Sequence, residues 1–153
     1  VLASLGSARA KAADAAIKAG LNNIKIPAEI VYQVEGCYDA DTTSDCSLFA
    51  LSANNCMKAG PPFSGNTSEF IFRNPNIQRL IEAANTASGG VIISGTASFF
   101  SNSFCVQAAN GGAWAVAVQY KSNPLKSWCV DSTGASREVT PAGDHGFFLF
   151  ACE

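Results

Sequence analysis

The chain has 153 residues, of which 48% are hydrophobic and 14% are charged. This length supports one domain with a hydrophobic core, and this composition excludes an intrinsically disordered chain. Ten basic and twelve acidic residues give a net charge of −2 and there is a single histidine, which excludes a broad electrostatic surface for nucleic acid and leaves little material for a histidine-based metal site or proton relay.

Residues 1–35 predict one long helix, because alanine is abundant and apolar residues recur every three or four positions. This apolar stripe consists of Ile17, Leu21, Ile24, Ala28 and Val31. A helix of this length extends about 50 Å, which is more than a small domain can cover. The first sixteen residues offer only Leu2 and Leu5 for burial, so we expect them to protrude. Pro27 is expected to bend the helix near Asn23.

Residues 36–90 predict a loop region with one short helix. Gly36 is a candidate C-cap of the first helix, and the irregular region after it contains three of the six cysteines. The second helix is predicted from Asn74 as N-cap and Pro75 at the first helical position. Its apolar face comprises Ile77, Leu80, Ile81 and Ala84.

Residues 91–153 predict an antiparallel sheet followed by a C-terminal loop. Residues 113–121 alternate most regularly, with Trp114, Val116, Val118 and Tyr120 on one face. Further strands are predicted at 91–93, 104–106, 128–130 and 147–150. The order of helix, loop, helix and antiparallel meander predicts a single domain of the α+β class.

An even number of cysteines in a small chain favours disulfides and an oxidising compartment. The six are Cys37, Cys46, Cys56, Cys105, Cys129 and Cys152. No two are spaced as C-x-x-C, which argues against a zinc or thioredoxin-like site. A Cys105–Cys129 bond is disfavoured if the 113–121 strand lies between them, because two strand spacings exceed the span of a disulfide. The remaining connectivities stay open.

Several motifs with possible chemistry have simpler interpretations. His145 lies in a Gly-Asp-His-Gly turn, but no G-x-S-x-G motif accompanies it, so we expect no catalytic residues and no cofactor. Asp39, Asp41 and Asp45 are weak calcium candidates, since the glycine and glutamate of an EF-hand loop are absent. Residues 66–68 form a glycosylation sequon that arises easily by chance.

Basic side chains occur along the first helix at Arg9, Lys11, Lys18 and Lys25. A DNA-binding stripe is one interpretation. Pairing between subunits or plain solvation is the interpretation we favour.

Two stretches resemble the type IV pilin superfamily. Val1–Ala12 (VLASLGSARAKA) is similar to the point where the membrane-spanning half of a pilin helix passes into its amphipathic half. Ser127–Gly134 (SWCVDSTG) is similar to a late strand and turn of many bacterial pilins. The two stretches cover about a quarter of the chain, and the order of elements agrees over the rest.

The resemblance implies a prepilin that is cleaved and methylated, and whose roughly 20 apolar residues before Val1 span the inner membrane before assembly. The sequence begins after this segment, so we expect an N-terminally truncated pilin or pilin-like subunit. Many family members have a disulfide that closes a C-terminal loop. This implies the pair Cys129–Cys152, which leaves Cys105 to bond with Cys37, Cys46 or Cys56.

The resemblance also implies a function: a structural subunit of an extracellular filament on the bacterial surface, in adhesion, twitching motility or DNA uptake. Its expected partners are copies of itself, the pilus assembly machinery, and surface receptors or DNA. The residues expected to form the assembly helix are Leu2, Leu5, Ile17, Leu21 and Ile24. Two alternatives remain, a pseudopilin of a type II secretion system and a secreted disulfide-bonded ligand-binding domain.

Overall fold

An N-terminal helix packed against one face of an antiparallel sheet defines the α+β architecture predicted from the sequence. The structure is a computed structural model that describes residues 2–38, 51–53, 56–58, 71–93, 98–108, 111–140 and 152. The helices are α1 (Leu2–Asn22), α2 (Lys25–Glu35) and α3 (Pro75–Ser88), with a short 3-10 helix at Ile71–Arg73. The strands are β1 (Leu51–Ala53), β2 (Met57–Lys58), β3 (Ile92–Ile93), β4 (Ser98–Phe100), β5 (Ser103–Gln107), β6 (Trp114–Gln119), β7 (Ser127–Asp131) and β8 (Ser136–Val139).

The predicted long helix is divided in two by a turn at Asn23–Ile24. The predicted long N-terminal helix is therefore present, and the disturbance expected near Asn23 takes the form of this short turn. Proline has no N–H to donate to the carbonyl four residues earlier, and is tolerated in the first turn of a helix. The new helix begins at Lys25, which places Pro27 in its first turn, and ends at Gly36 in the left-handed conformation (φ 79°).

The apolar stripe predicted for the N-terminal helix is buried from Ile17 to Ala28. Ile17, Leu21, Ile24 and Ala28 have no exposed surface, whereas the side chains from Ser4 to Arg9 are exposed. The helix is thus exposed at its N-terminal end, but over fewer residues than the sixteen predicted to protrude, because Asp14 bonds to Lys121 and Ser122 of its own domain. Each fully buried leucine or isoleucine contributes about 1.5–3 kcal/mol through removal of apolar surface from water.

The second predicted helix is present with the predicted cap. The Asn74 side chain accepts a hydrogen bond from the backbone N–H of Asn76, and Pro75 opens the helix. Ile77 and Ile81 are fully buried and pack in the same cluster as the α1 stripe. α1 and α3 together form the layer that covers the sheet.

Within the described residues, the main sheet has five strands in the order β1-β5-β6-β7-β8, and their pairings are antiparallel. Trp114, Val116 and Val118 of β6 face the helices, whereas Ala115 and Ala117 lie in a second cluster on the other face. The sheet therefore has apolar packing on both faces.

A second, three-stranded sheet has the order β2-β4-β3. The predicted strand at 91–93 belongs to this sheet and not to the meander. β1 and β2 lie in the region predicted to be irregular, and β4 and β8 were not predicted either. These strands are only two to four residues long, which is too short for a periodic pattern to be recognised. The strand predicted at 147–150 lies outside the described residues.

Gly20 and Gly36 give a matched pair of expected effects on stability. A methyl group at Gly20 would lie 3.8 Å from the Leu80 carbonyl oxygen and 3.9 Å from the Ala84 Cβ, which is ordinary contact. Gly20→Ala should therefore raise the free energy of unfolding by about 0.5–1 kcal/mol, because alanine loses less backbone entropy in a helix. Gly36→Ala should lower it by about 1–2 kcal/mol, because its positive φ disfavours any side chain. Urea unfolding of both variants measures the two effects, and a destabilised Gly20→Ala would contradict this account of the α1–α3 contact.

Candidate assembly surface

Asp14 attaches α1 to the loop between β6 and β7. Its carboxylate accepts hydrogen bonds from the backbone N–H groups of Lys121 (2.8 Å) and Ser122 (3.2 Å), and from the Ser122 hydroxyl. Hydrogen bonds to a charged acceptor are stronger than those between neutral groups. Asp14 therefore fixes this part of α1 to the β6–β7 loop.

One turn further along α1, Lys18 lies over two aromatic rings. Its Nζ is 5.2 Å from the ring centre of Tyr120 and 5.0 Å from that of Trp128, within the range of a cation–π interaction. The Trp128 Nε1 donates a hydrogen bond to the Asn22 side chain (3.3 Å). Burial raises the pKa of Tyr120 to about 12, and the nearby Glu138 and Asp14 charges act in the same direction, so the phenol stays neutral beside the helix.

Lys25, at the start of α2, completes this line of polar contacts. Its Nζ donates hydrogen bonds to the Gly134 carbonyl and to the Ser136 hydroxyl (2.7 Å). Lys18 and Lys25 therefore make contacts within their own chain, and the interpretations of the basic residues as a DNA-binding stripe or as partners of another subunit stay predictions. Arg9 and Lys11 are the basic residues of the helix whose side chains are exposed.

The residues expected to form the assembly helix divide into two groups. Ile17, Leu21 and Ile24 are completely buried in the core of their own chain, so they have no surface to offer to a neighbour in this fold. Leu5 is 48% exposed, and the side chain of Leu2 lies outside the described part of the structure. Of the predicted set, Leu5 is thus the residue that the structure presents for contact.

A set of exposed apolar residues on α2 was missed in the sequence. Ile26, Ile30 and Val34 are 68%, 57% and 73% exposed, and residues four apart lie on the same face of a helix. We call these three residues the α2 stripe. The spacing of these residues is visible in the sequence. Periodicity in the sequence, however, placed Ile24, Ala28 and Val31 on the buried face of the same helix. Spacing alone does not show which of two apolar faces the domain covers.

Two attachments hold the C-terminal end of the chain beside β7. Cys129 and Cys152 form a disulfide, the pair implied by the resemblance. Two residues along the same strand, the Asp131 carboxylate accepts a hydrogen bond from the backbone N–H of Cys152 (2.7 Å). It also accepts hydrogen bonds from the N–H and hydroxyl of Thr133 and from the Ala135 N–H. One buried carboxylate therefore organises both the turn after β7 and the C-terminal attachment.

The pKa of Asp131 shows which of two opposing effects is stronger. Burial by itself raises the pKa of a carboxylate, but the hydrogen bonds from Cys152, Thr133 and Ala135 outweigh it and hold the pKa of Asp131 below its ordinary value. Asp131 is therefore ionised in the folded protein throughout the neutral range.

The other disulfide described in full is Cys56–Cys105, one of the pairings that the sequence left open. Cys37 is also disulfide-bonded, and its partner lies outside the described residues. Cys105 and Cys129 belong to opposite faces of the sheet, on strands separated by β6, so the argument against a bond between them was correct.

Gln107 joins the two ends of the 39–70 segment to the sheet. Its side chain is fully buried, accepts a hydrogen bond from the Ile71 N–H (2.9 Å) and donates one to the Tyr38 carbonyl (2.8 Å). Both hydrogen-bonding ends of one amide are thus used to bring residues 38 and 71 together. Sequence reasoning missed this residue, because a glutamine within a strand has no distinguishing pattern.

Tyr38 connects this region to α2. Its hydroxyl donates a hydrogen bond to Glu29 (2.7 Å), and its ring contacts Tyr32 and Trp114 at centre-to-centre distances of 4.7 Å and 6.1 Å. Burial raises the pKa of Tyr38, and the hydrogen bond to Glu29 raises it further. The contact also holds the Glu29 carboxylate next to the α2 stripe.

The remaining candidate residues lie outside the described part of the chain. They are His145, the calcium candidates Asp39, Asp41 and Asp45, and the sequon at residues 66–68. Within the described ranges, no three His, Cys, Asp or Glu side chains are grouped so that they could hold a metal ion. Nor does any helix in those ranges combine the length and apolar character needed to cross a bilayer.

Asp14→Ala should loosen the protruding part of α1. The substitution leaves the N–H groups of Lys121 and Ser122 without their acceptor, so we expect the free energy of unfolding to fall by about 1–2 kcal/mol. Amide hydrogen exchange should become faster in residues 8–16 and stay unchanged in α3. Glu138→Gln is the control, since its ion pair with Lys126 is exposed and contributes little. Unchanged exchange in residues 8–16 would contradict the role assigned to Asp14.

Asp131→Asn should destabilise the protein and reduce its sensitivity to acid. Because the pKa of Asp131 is lowered on folding, its contribution to stability is complete above the pKa of the unfolded chain, about 4, and is lost as the pH falls through the folded-state pKa. We expect a loss of about 2–3 kcal/mol at pH 7. The difference between wild type and variant should become smaller at pH 3, as measured by urea unfolding at both values. An equal difference at the two pH values would show that the charge is not responsible.

The chain was compared with protein-family models, curated proteins and solved structures, and no match was found. The architecture itself, an N-terminal helix packed on an antiparallel sheet with disulfides, is compatible with a pilin-like fold.

Proposed function

We propose that the protein is a structural subunit of a bacterial type IV pilus filament. The observation that supports this most directly is the helix that leaves its own domain. Beyond the contact made by Asp14, the side chains from Ser4 to Arg9 are exposed, and among the described residues no atom outside the adjoining helix lies within 4 Å of a methyl group placed on Gly6. A helical end whose side chains are exposed is suited to packing against another molecule.

Two further features agree with this proposal. The α2 stripe adds large exposed aliphatic side chains on a second segment of the helix, and such patches mark interaction sites. The pair formed by Cys129 and Cys152 fastens the C-terminal end of the chain to the sheet on the face away from the helices. Subunits that contact one another through two different surfaces build open helical filaments when the rotation between them does not close into a ring.

Adhesion, twitching motility and DNA uptake belong to the same proposal as possible roles of the filament. Its partners would be sister subunits, the assembly machinery, and a receptor or DNA on the outer surface. The assembled protein would lie outside the cell, having passed through the inner membrane stage that pilins share, and it would carry out no catalysis.

The test is deletion of the gene in the bacterium that encodes the protein, with electron microscopy of the cell surface and an assay of secreted proteins. We expect filaments to disappear and to return when the intact gene is supplied. Loss of secretion with unchanged surface filaments would indicate a pseudopilin. If both are unchanged while the protein is exported in free form, the secreted ligand-binding domain replaces this proposal.

A further inference from the structure

The side of the helix that faces away from the domain is uncharged along most of its length. On α1 it presents Leu5 and then small residues at spacings of three and four positions. These exposed small residues are Ala8, Ala12, Ala16 and Ala19. On α2 the same side presents the α2 stripe, whose three members are more than half exposed. The surface is therefore narrow and flat at the protruding end, and bulky and apolar on α2.

The charges beside the two ends of this surface are opposite. The segment 2–13 carries Arg9 and Lys11 and no acidic residue. α2 carries Glu29 and Glu35, while its one basic residue, Lys25, is bound to Gly134 and Ser136 of its own domain. The protruding end is thus basic and the α2 stripe is bordered by carboxylates, an arrangement that favours contact between the two ends and disfavours contact between two copies of the same end.

We propose that the α2 stripe is the docking site for the protruding segment of α1 (residues 2–12) from a second copy of this chain. The proposal rests on the filament function and specifies which surfaces meet. Leu5 packs against Ile26 and Ile30, the small residues around it allow the helices to approach closely, and Arg9 and Lys11 lie beside the acidic border. Because the two surfaces are about 20 residues apart along α1 and α2, successive copies are displaced by roughly 30 Å in the direction of these helices.

This contact joins two different surfaces, so each copy keeps one of them free for the next copy. This property distinguishes the proposed head-to-tail contact from a symmetric contact between two α2 stripes. If two α2 stripes met each other, damage to the stripe would prevent pairing in every combination. In the head-to-tail contact, a copy with a damaged stripe still offers an intact protruding segment.

The test uses the 153-residue chain in solution, with sedimentation measured over a range of protein concentration and salt. We expect concentration-dependent association that weakens as salt rises, since the charged border is solvent-exposed. Ile30→Asp should weaken self-association by at least about tenfold, and so should Leu5→Asp combined with Arg9→Glu. Leu125→Asp is the matched control, because Leu125 is 76% exposed but lies in the β6–β7 loop. Circular dichroism checks that each variant remains folded.

The decisive measurement mixes the two defective variants. Each variant is expected to remain monomeric by itself. The mixture is expected to form a 1:1 dimer, in which the intact protruding segment of the Ile30→Asp variant binds the intact α2 stripe of the variant that combines Leu5→Asp and Arg9→Glu. A mixture that stays monomeric while the wild type associates would overturn the proposal, as would a wild type that does not associate. If filaments are present in cells but the mixture is monomeric, the docking mode is wrong and the filament function stands. If the mixture dimerises but deletion leaves filaments unchanged, the function fails and the contact stands.

Discussion

The burial of one apolar stripe of the N-terminal helix is the interaction on which the other features depend. Ile17, Leu21 and Ile24 fill the space between α3 and the sheet and leave no exposed surface. Because a helix presents residues three and four apart on one side, fixing this side determines what faces outward everywhere else. The exposure of Leu5, Ile26, Ile30 and Val34 follows from the seating of those three side chains.

Polar contacts set the position of the helix along the sheet, which apolar packing alone leaves adjustable. Asp14, Lys18, Asn22 and Lys25 follow one another at spacings of four, four and three residues. They reach three successive parts of the sheet: the β6–β7 loop, the rings at Tyr120 and Trp128, and the β7–β8 turn. Directional contacts of this kind require one alignment, so they determine where the helix leaves its domain.

Covalent and charged contacts help to organise the far face of the sheet, where Phe104 and Val139 also pack. Ala115 and Ala117 leave room there for the disulfide between Cys129 and Cys152. Asp131 on the same strand adds a buried carboxylate whose acceptor sites are occupied by local N–H and hydroxyl groups. The C-terminal attachment and the helix layer therefore lie on opposite faces, so each can make contacts with other molecules without disturbing the other.

The sequence by itself determined the α+β class, the interruption near Asn23, the caps at Gly36 and Asn74, and the buried stripe, because each depends on local periodicity or on a residue with a restricted backbone. It also indicated that the first turns protrude, since they offer little to bury. Tertiary structure alone decided that Lys18 and Lys25 serve their own domain, that Gln107 joins Tyr38 to Ile71, and that Ile26, Ile30 and Val34 remain uncovered. These outcomes depend on which distant segments of the chain come into contact. Residue spacing shows which side chains share one face of a helix, but it does not show what packs against that face.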